Sequence, residues 1–268
     1  MAIYQNALWG YQLILPDSWI QKDFNEVVGF AANPDAFQTG YHGPDSGHIL
    51  VRGEWNASGQ KIEPLWAEHI AKMAGIIGAK QVGSAPWNMA GAHGLEAEIV
   101  LPKRENKRLW TGILSRGLTV LHFMVMHELE EKDTFEPIAT RVISSLAFLG
   151  HAKAVNASEM ELPLPPGYTS TDPTQIVTDI PNPTNWKAYE GASSVGALQA
   201  FYMREAIYYG WQISSYVPFP GDSELGFARL QLQKGSLSAM LGIMPGDTGQ
   251  ADANSPARIV IKYSTGLN

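Results

Sequence analysis

GYQLILPDSW, residues 10–19, alternates through Tyr11, Leu13 and Leu15 and then breaks at Pro16 and Asp17, just ahead of Trp19. Period-two alternation stopped by a turn-forming pair reads as a short strand followed by a corner. Working outward, strand-like runs recur at VVGFAA (27–32), HILVRGEW (48–55), LEAEIVL (95–101), RLWTGILS (108–115) and LTVLHFMVM (118–126). Several are joined by short turn-forming segments, as an antiparallel meander requires.

Two stretches switch to helical spacing. Ile62, Leu65, Trp66, His69, Ile70, Met73 and Ile77 form one stripe after a turn at Ser58 and Gly59. Phe135, Ile138, Val142, Ile143 and Leu146 form another, with Asp133 or Thr134 expected as N-cap and Glu136 in the first turn. Many strands with two one-faced helices predict an α+β domain over residues 1–149, an antiparallel sheet packed with helices.

Residues 150–167, GHAKAVNASEMELPLPPG, lose periodicity and end in a proline-rich run, which predicts an extended linker. A second, small α+β domain is expected over 168–268: a strand at NWKAYEG (185–191), a helix from about Ser194 to Tyr209, then four strands. Val195, Leu198, Tyr202, Ala206 and Tyr209 give the helix its stripe; Ser193 or Ser194 can cap it and Gly210 can end it. The strands are WQISSYVPF (211–219), GFARLQLQ (226–233), SLSAMLGIM (236–244) and RIVIKY (258–263), with a Lys234-Gly235 turn and a polar loop between them.

The 268 residues carry 19 basic and 26 acidic side chains, a formal charge of −7 spread over both halves. That balance argues against nucleic acid as a partner, since affinity for phosphate backbones rests on cations. There is no cysteine, so thiol nucleophiles, zinc thiolates and disulfides are excluded together. No basic n-region with an apolar core follows Met1 and no apolar run is long enough to span a bilayer. A soluble chain is expected, cytoplasmic unless a leader has been removed.

Catalytic signatures are sparse. GASSVG (191–196) lies between strand and helix but has Val195 where a nucleophile elbow needs glycine, so its serines are read as caps. HEL (127–129) lacks the second histidine of a zincin, Glu131 standing in its place. Neither phosphate-cradling glycine pattern occurs, and no cofactor is expected. In YHGPDSGH (41–48), His42, Asp45 and His48 combine imidazole and carboxylate in one loop, a set that borderline cations accept. His69 and His122, each within an apolar pattern, read as hydrogen-bonded core histidines.

KRENKR (103–108) is the one basic cluster, at the tip of an expected hairpin. Lys103, Arg104, Lys107 and Arg108 could contact an acidic partner or anionic headgroups, or could simply solvate the tip and discourage edge pairing. Trp9, Trp55, Trp87 and Trp186 fall at expected turns, where large rings close the ends of sheets or anchor interfaces.

Residues 8–149 resemble the PsbP-like fold family. The resemblance rests on GYQLILPDSW as opening strand and LP-x-x-W corner, on the helix after HILVRGEW, on RLWTGILSRGLTVLHFMV as the late hairpin, and on TFEPIATRVISSLAFL as the closing helix and strand. It implies a non-enzymatic binding or assembly role, as an accessory subunit, scaffold or chaperone for a protein partner, which could be a membrane-associated complex. It carries over no ligand residues, and the second half resembles no named family. Two alternatives stay open: a small-ligand or lipid-binding module with its pocket between sheet and helix, suggested by the supply of aromatic and methionine side chains (Met73, Phe123, Met124, Met126, Met203), and a metal-dependent hydrolase using His42, Asp45 and His48.

Overall fold

The computed structural model describes residues 1–24, 26–152, 161–177, 182–221, 226–246 and 256–265. The class is α+β, built from antiparallel sheets. Contacts divide the chain into two compact units, Met1–Gln5 with Tyr11–Phe148, and Asn6–Gly10 with Leu149–Asn268.

The first unit contains β1 (Ala2–Asn6), β2 (Tyr11–Leu15), β3 (Ile20–Phe24), β4 (Val27–Ala31), β5 (His48–Trp55), α1 (Ile62–Ile77), β6 (Lys80–Met89), β7 (Ala92–Val100), β8 (Lys107–Arg116), β9 (Thr119–Glu128), α2 (Lys132–Ser144) and β10 (Ala147–Phe148). Seven strands form one sheet in the order β3-β4-β5-β9-β8-β7-β6. These are two meanders side by side, and α1 carries the chain from β5 at the centre to β6 at the far edge. Most of the stripe expected for α1 is its buried face, with Leu65, Trp66 and Met73 packing on Ile99, Leu109 and Ile113, while Ile77 in the last turn is exposed. The opposite sheet face receives α2 through Phe135, Ala139, Val142 and Ile143.

The opening strand does not join this large sheet. Tyr11–Leu15 lies between β1 and β10 in a separate three-stranded sheet. The corner after it turns on a Trp19 N–H bond to Pro16 O of 3.1 Å, and the Trp19 ring stacks on Phe135 with centroids 5.8 Å apart. Aromatic burial thus ties the corner to the first turn of α2.

Local signals misplace two features here. Helix α2 begins at Lys132, ahead of the expected caps Asp133 and Thr134, and no side chain caps it. The carboxylate of Glu131, at the cap position, accepts instead from Ser46 N and Oγ, both at 2.8 Å. Trp87, expected at a turn, lies within β6, an edge strand whose other residues are mostly exposed and whose register shifts between Val82 and Ala85. Exposure and the bulge remove the alternation by which a strand is recognised.

The second unit contains β11 (Thr169–Thr171), β12 (Trp186–Ser194), α3 (Val195–Tyr208), β13 (Gln212–Val217), β14 (Ala228–Lys234), β15 (Leu237–Pro245) and β16 (Pro256–Thr265). Its single sheet runs β11-β12-β16-β15-β14-β13, with β11 an addition to the expected strands. Val195, Leu198, Phe201 and Tyr202 of α3 bury against Leu230, Leu241 and Ile259. Ser194 caps the helix by accepting from Ala197 N at 3.2 Å. Gly210, at φ +81°, lets Trp211 N reach back to Ala206 O at 2.9 Å. Ala152 and Leu162, from the stretch expected to be a linker, are buried in this core. Residues 153–160 of that stretch, and 247–255 of the expected polar loop, lie outside the described residues. No helix among the described residues is long and apolar enough to cross a membrane.

Candidate functional site

The loop before β5 sends its metal-type residues to different partners. His42 Nδ1 lies 2.9 Å from Glu128 Oε1, whereas buried His48 donates from Nδ1 to Ser46 O at 3.1 Å. Burial lowers the His48 pKa. Asp45 occupies a positive-φ turn position. Among the described residues no three imidazole or carboxylate groups gather as a metal ion would need.

The basic tip is smaller than its sequence suggests. Lys107 is buried, its Nζ 3.1 Å from Glu128 Oε1 and donating to Tyr41 O at 3.2 Å, so it holds the preceding loop and is not presented to a partner. Strand alternation accounts for this: Lys107 and Leu109 point to one face of β8, Arg108 and Trp110 to the other. Lys103, Arg104 and Arg108 remain exposed.

His69 and His122 are buried, as expected, and belong to a hydrogen-bonded chain between α1 and the sheet. His69 Nε2 lies 2.8 Å from Thr111 Oγ1, the two Nδ1 atoms lie 3.2 Å apart, and His122 Nε2 lies 3.1 Å from Glu54 Oε2. Arg52 Nη2 lies 2.6 Å from the same carboxylate oxygen and 3.3 Å from His122 Nε2. Thr111 Oγ1 is also 2.8 Å from Phe123 O. With both rings neutral, His69 Nδ1–H can donate to His122 Nδ1 and His122 Nε2–H to the Glu54 carboxylate, which only accepts; the Thr111 hydroxyl then donates to His69 Nε2 or to Phe123 O. Thr111 is completely buried, which removes it as a nucleophile.

The accessible site lies on the other face of the sheet. Helix α2 packs over β9 and toward β2, and beside it Arg108 of β8 and Glu98 of β7 stay exposed. A groove of about 320 Å³ follows from that partial cover. Cross-strand register orders its floor: Arg108 opposite His127, Trp110 between Glu98 and Val125, Gly112 between Glu96 and Phe123. Trp87 comes in from the edge strand over Gly112, packing edge-on against Trp110 and Phe123 with centroids 5.1 and 5.4 Å away. Trp110 Nε1 donates to Glu96 Oε2 at 3.1 Å. Lys132, Glu136, Thr140 and Ile143 of α2 form the facing wall.

His127 presents Nδ1 to Glu128 O at 2.7 Å and Nε2 to Glu136 Oε1 at 3.2 Å, so its ring is fixed in the wall. Among the described residues Arg108, Lys132 and Glu98 form no ion pair, although all three line the groove. Half-apolar lining, two indole rings and unpaired charges suit recognition of a ligand with polar and apolar parts.

The groove lies between sheet and helix, but the methionines and Phe123 that suggested a pocket do not line it. Met73, Met124 and Met126 pack in the α1 core, Phe123 is fully buried beside Trp87, and Met203 belongs to α3. Alternation places Glu96 with Glu98 on one face of β7 and Arg108 with Trp110 on one face of β8; the register brings the two pairs to the same face of the sheet, and α2 decides how much of it stays open.

The floor gives a direct prediction. A Cβ on Gly112 would stand 2.7 Å from the Trp87 ring. Gly112→Ala should cost about 1–3 kcal/mol by overpacking. It should also displace the indole, read as a lower urea midpoint with an altered near-ultraviolet tryptophan dichroism; an unchanged dichroism would show that Trp87 does not rest there.

No protein-family profile matches the chain, and no curated protein matches it in sequence. Solved structures similar to it include the solution structure of a cyanobacterial PsbP, CyanoP from Synechocystis sp. PCC 6803, 13% identical with a TM-score of 0.44, covering 55% of this chain and 91% of that one. PsbP gives its name to the fold family that the sequence of residues 8–149 resembles. LpqN, involved in cell envelope biogenesis of Mycobacterium tuberculosis, is 12% identical with a TM-score of 0.38, covering 52% of this chain and 83% of its own. A Bacteroides thetaiotaomicron protein, 10% identical with a TM-score of 0.39, covers 91% of this chain and 87% of its own.

Proposed function

We propose that the protein is a non-enzymatic binding module that holds a segment of a partner protein in the groove between α2 and β6–β9, as an accessory component of a larger assembly. The observation that carries this is the groove itself: open, flanked by Trp87 and Trp110, with Arg108, Lys132 and Glu98 unpaired at its walls. The two histidines, by contrast, are buried in the α1 core, and of their chain only Glu54 and Arg52 are part-exposed. The resemblance of residues 8–149 to a fold family of binding and assembly proteins points the same way, though one fold hosts many roles.

Thr140→Trp tests it. Thr140 is exposed on α2 and lines the groove, so the ring should fill the site while stability changes by only about 0.5 kcal/mol. Wild-type protein should retain a stoichiometric partner from native extract and the variant should lose it. Equal retention by both would place the interface elsewhere.

A second reading, a small amphiphilic ligand or lipid, is supported by the groove volume of about 320 Å³, which falls at the small end of ligand sites. Native mass spectrometry detecting only the bare polypeptide mass would count against it.

A further inference from the structure

Resting on the partner-segment reading, we infer that the groove recognises an acidic-apolar segment of about six residues, its carboxylate at Arg108 and Lys132 and its apolar side chain against Trp87, Met89 and Ile143. The two cations lie at one end of the groove and Trp87, Met89 and Ile143 toward the other, and register fixes the order. Arg108 at the start of β8 faces the His127 rung, beside Lys132 and Glu136 in the first turns of α2. Trp110 and Glu98 share the next rung, Gly112 and Glu96 the next, and Gly94 pairs with both Leu114 and Trp87 beyond them. From Arg108 to Leu114 is six steps along the strand, about 20 Å.

Charge at the Arg108 end favours an anion. Glu136 is engaged by His127 and Glu96 by the Trp110 indole. Of the carboxylates that line the groove, Glu98 alone is uncommitted, and it lies one rung along, beside Trp110. Arg108 and Lys132 are thus two unpaired cations beside a semi-enclosed site, where attraction for a carboxylate is less screened than on open surface.

A peptide fits this lining better than an acyl chain. Glu98, Thr140 and Ser144 are distributed along the walls. An alkyl tail would desolvate them without partners, whereas a peptide backbone supplies donors and acceptors. Strand pairing on the β6 edge is disfavoured, because Pro86 lacks an N–H and the register shifts between Val82 and Ala85. Side-chain recognition within the groove is left as the mode of binding.

The test pans a random hexapeptide phage library against the full chain. Enriched peptides should place Asp or Glu three to five positions from an aliphatic or aromatic residue. The consensus peptide, labelled for fluorescence anisotropy, should bind about tenfold or more weakly to Arg108→Glu/Lys132→Glu. Panning on that double variant should shift selection toward Lys and Arg. Enrichment without an acidic position, no enrichment, or a double variant with unchanged affinity would each overturn the inference. Dodecanoate displacing tryptophan fluorescence where no peptide binds would overturn it in favour of an acyl ligand. If Thr140→Trp still abolishes partner retention while the peptides show no acidic preference, the groove remains the interface and only this chemistry fails; retention by Thr140→Trp removes the groove itself.

Discussion

Replacing Arg204 with alanine is expected to lower the unfolding free energy of the second unit by about 3–5 kcal/mol. Its partner Glu205 is completely buried on α3, with Oε1 accepting from Arg204 Nε at 2.7 Å and from Ala152 N at 2.9 Å. The other carboxylate oxygen has no hydrogen-bond partner among the described residues. The guanidinium also donates to Leu8 O at 3.2 Å and to Ala7 O, and it lies against Gly10. One ion pair therefore fastens to α3 both stretches by which the chain enters this unit, residues 6–10 and 149–152. Without Arg204 a buried carboxylate loses its counter-charge and two carbonyls lose a donor. Glu205→Gln keeps an acceptor for Ala152 N and removes the charge, so it should cost only about 1–2 kcal/mol. The double variant Arg204→Ala/Glu205→Gln should be milder than the sum of the single changes, since the two residues act as one unit. Urea unfolding followed by tryptophan fluorescence reads all three; an Arg204→Ala loss within about 1 kcal/mol would mean that water already compensates the carboxylate.

Acidification should destabilise the first unit well before ordinary carboxylates titrate. Burial, and next the neighbouring His122, hold the His69 pKa down to about 3. His122 is lowered too, by burial first. Both rings face charges from every packed element: Arg52 and Glu54 on β5, Lys72 on α1. For a histidine with a depressed native pKa, the unfolded chain binds more protons between about 6.5 and 3, so stability is complete above 6.5 and is lost as pH falls through that window. At about 1.4 kcal/mol per unit, His69 alone should cost about 2 kcal/mol between pH 6.5 and 5 and roughly 4 by the bottom of the window.

Glu54 adds to this with the same sign. The hydrogen bond from His122 leads the causes that lower its pKa to about 2, overcoming burial. Its contribution is present above 4.5 and is lost as pH falls toward 2. The geometry limits protonation as well: the chain can accommodate one extra proton, but two would set Nδ1–H groups facing each other across 3.2 Å. Urea unfolding at a series of pH values should show this slope, and His69→Gln should flatten it between pH 6.5 and 5 whatever its own effect on stability. A His69 ring that titrates near 6.5 by nuclear magnetic resonance would refute the account.

Much of the architecture was legible from residues 10–19 outward because alternation and helical spacing are local consequences of backbone geometry. VVGFAA, HILVRGEW and LTVLHFMVM fall on β4, β5 and β9, most of each stripe is the buried face of α1 or α2, and Ser194 and Gly210 bound α3. Where the local signal is weak, elements went unseen: β6 is exposed and bulged, while β1, β3 and β11 are short and partly polar. His69 and His122 were placed in the core by their patterns, but their joining into a chain with Glu54 depends on β5 lying beside β9, a pairing across roughly seventy residues of sequence.

Composition and periodicity by themselves thus determined an α+β chain without cysteine chemistry, with its helices in place and its core histidines identified. Tertiary structure alone decided that Lys107 of the basic tip turns inward to Glu128, that His42 and His48 part company, and that Arg108 faces a groove with Trp87 and Trp110. The physical reason is that a strand's alternation assigns its residues to two faces without saying what covers either. The candidate site exists where α2 stops covering the sheet, and that limit is set by packing between segments far apart in the chain.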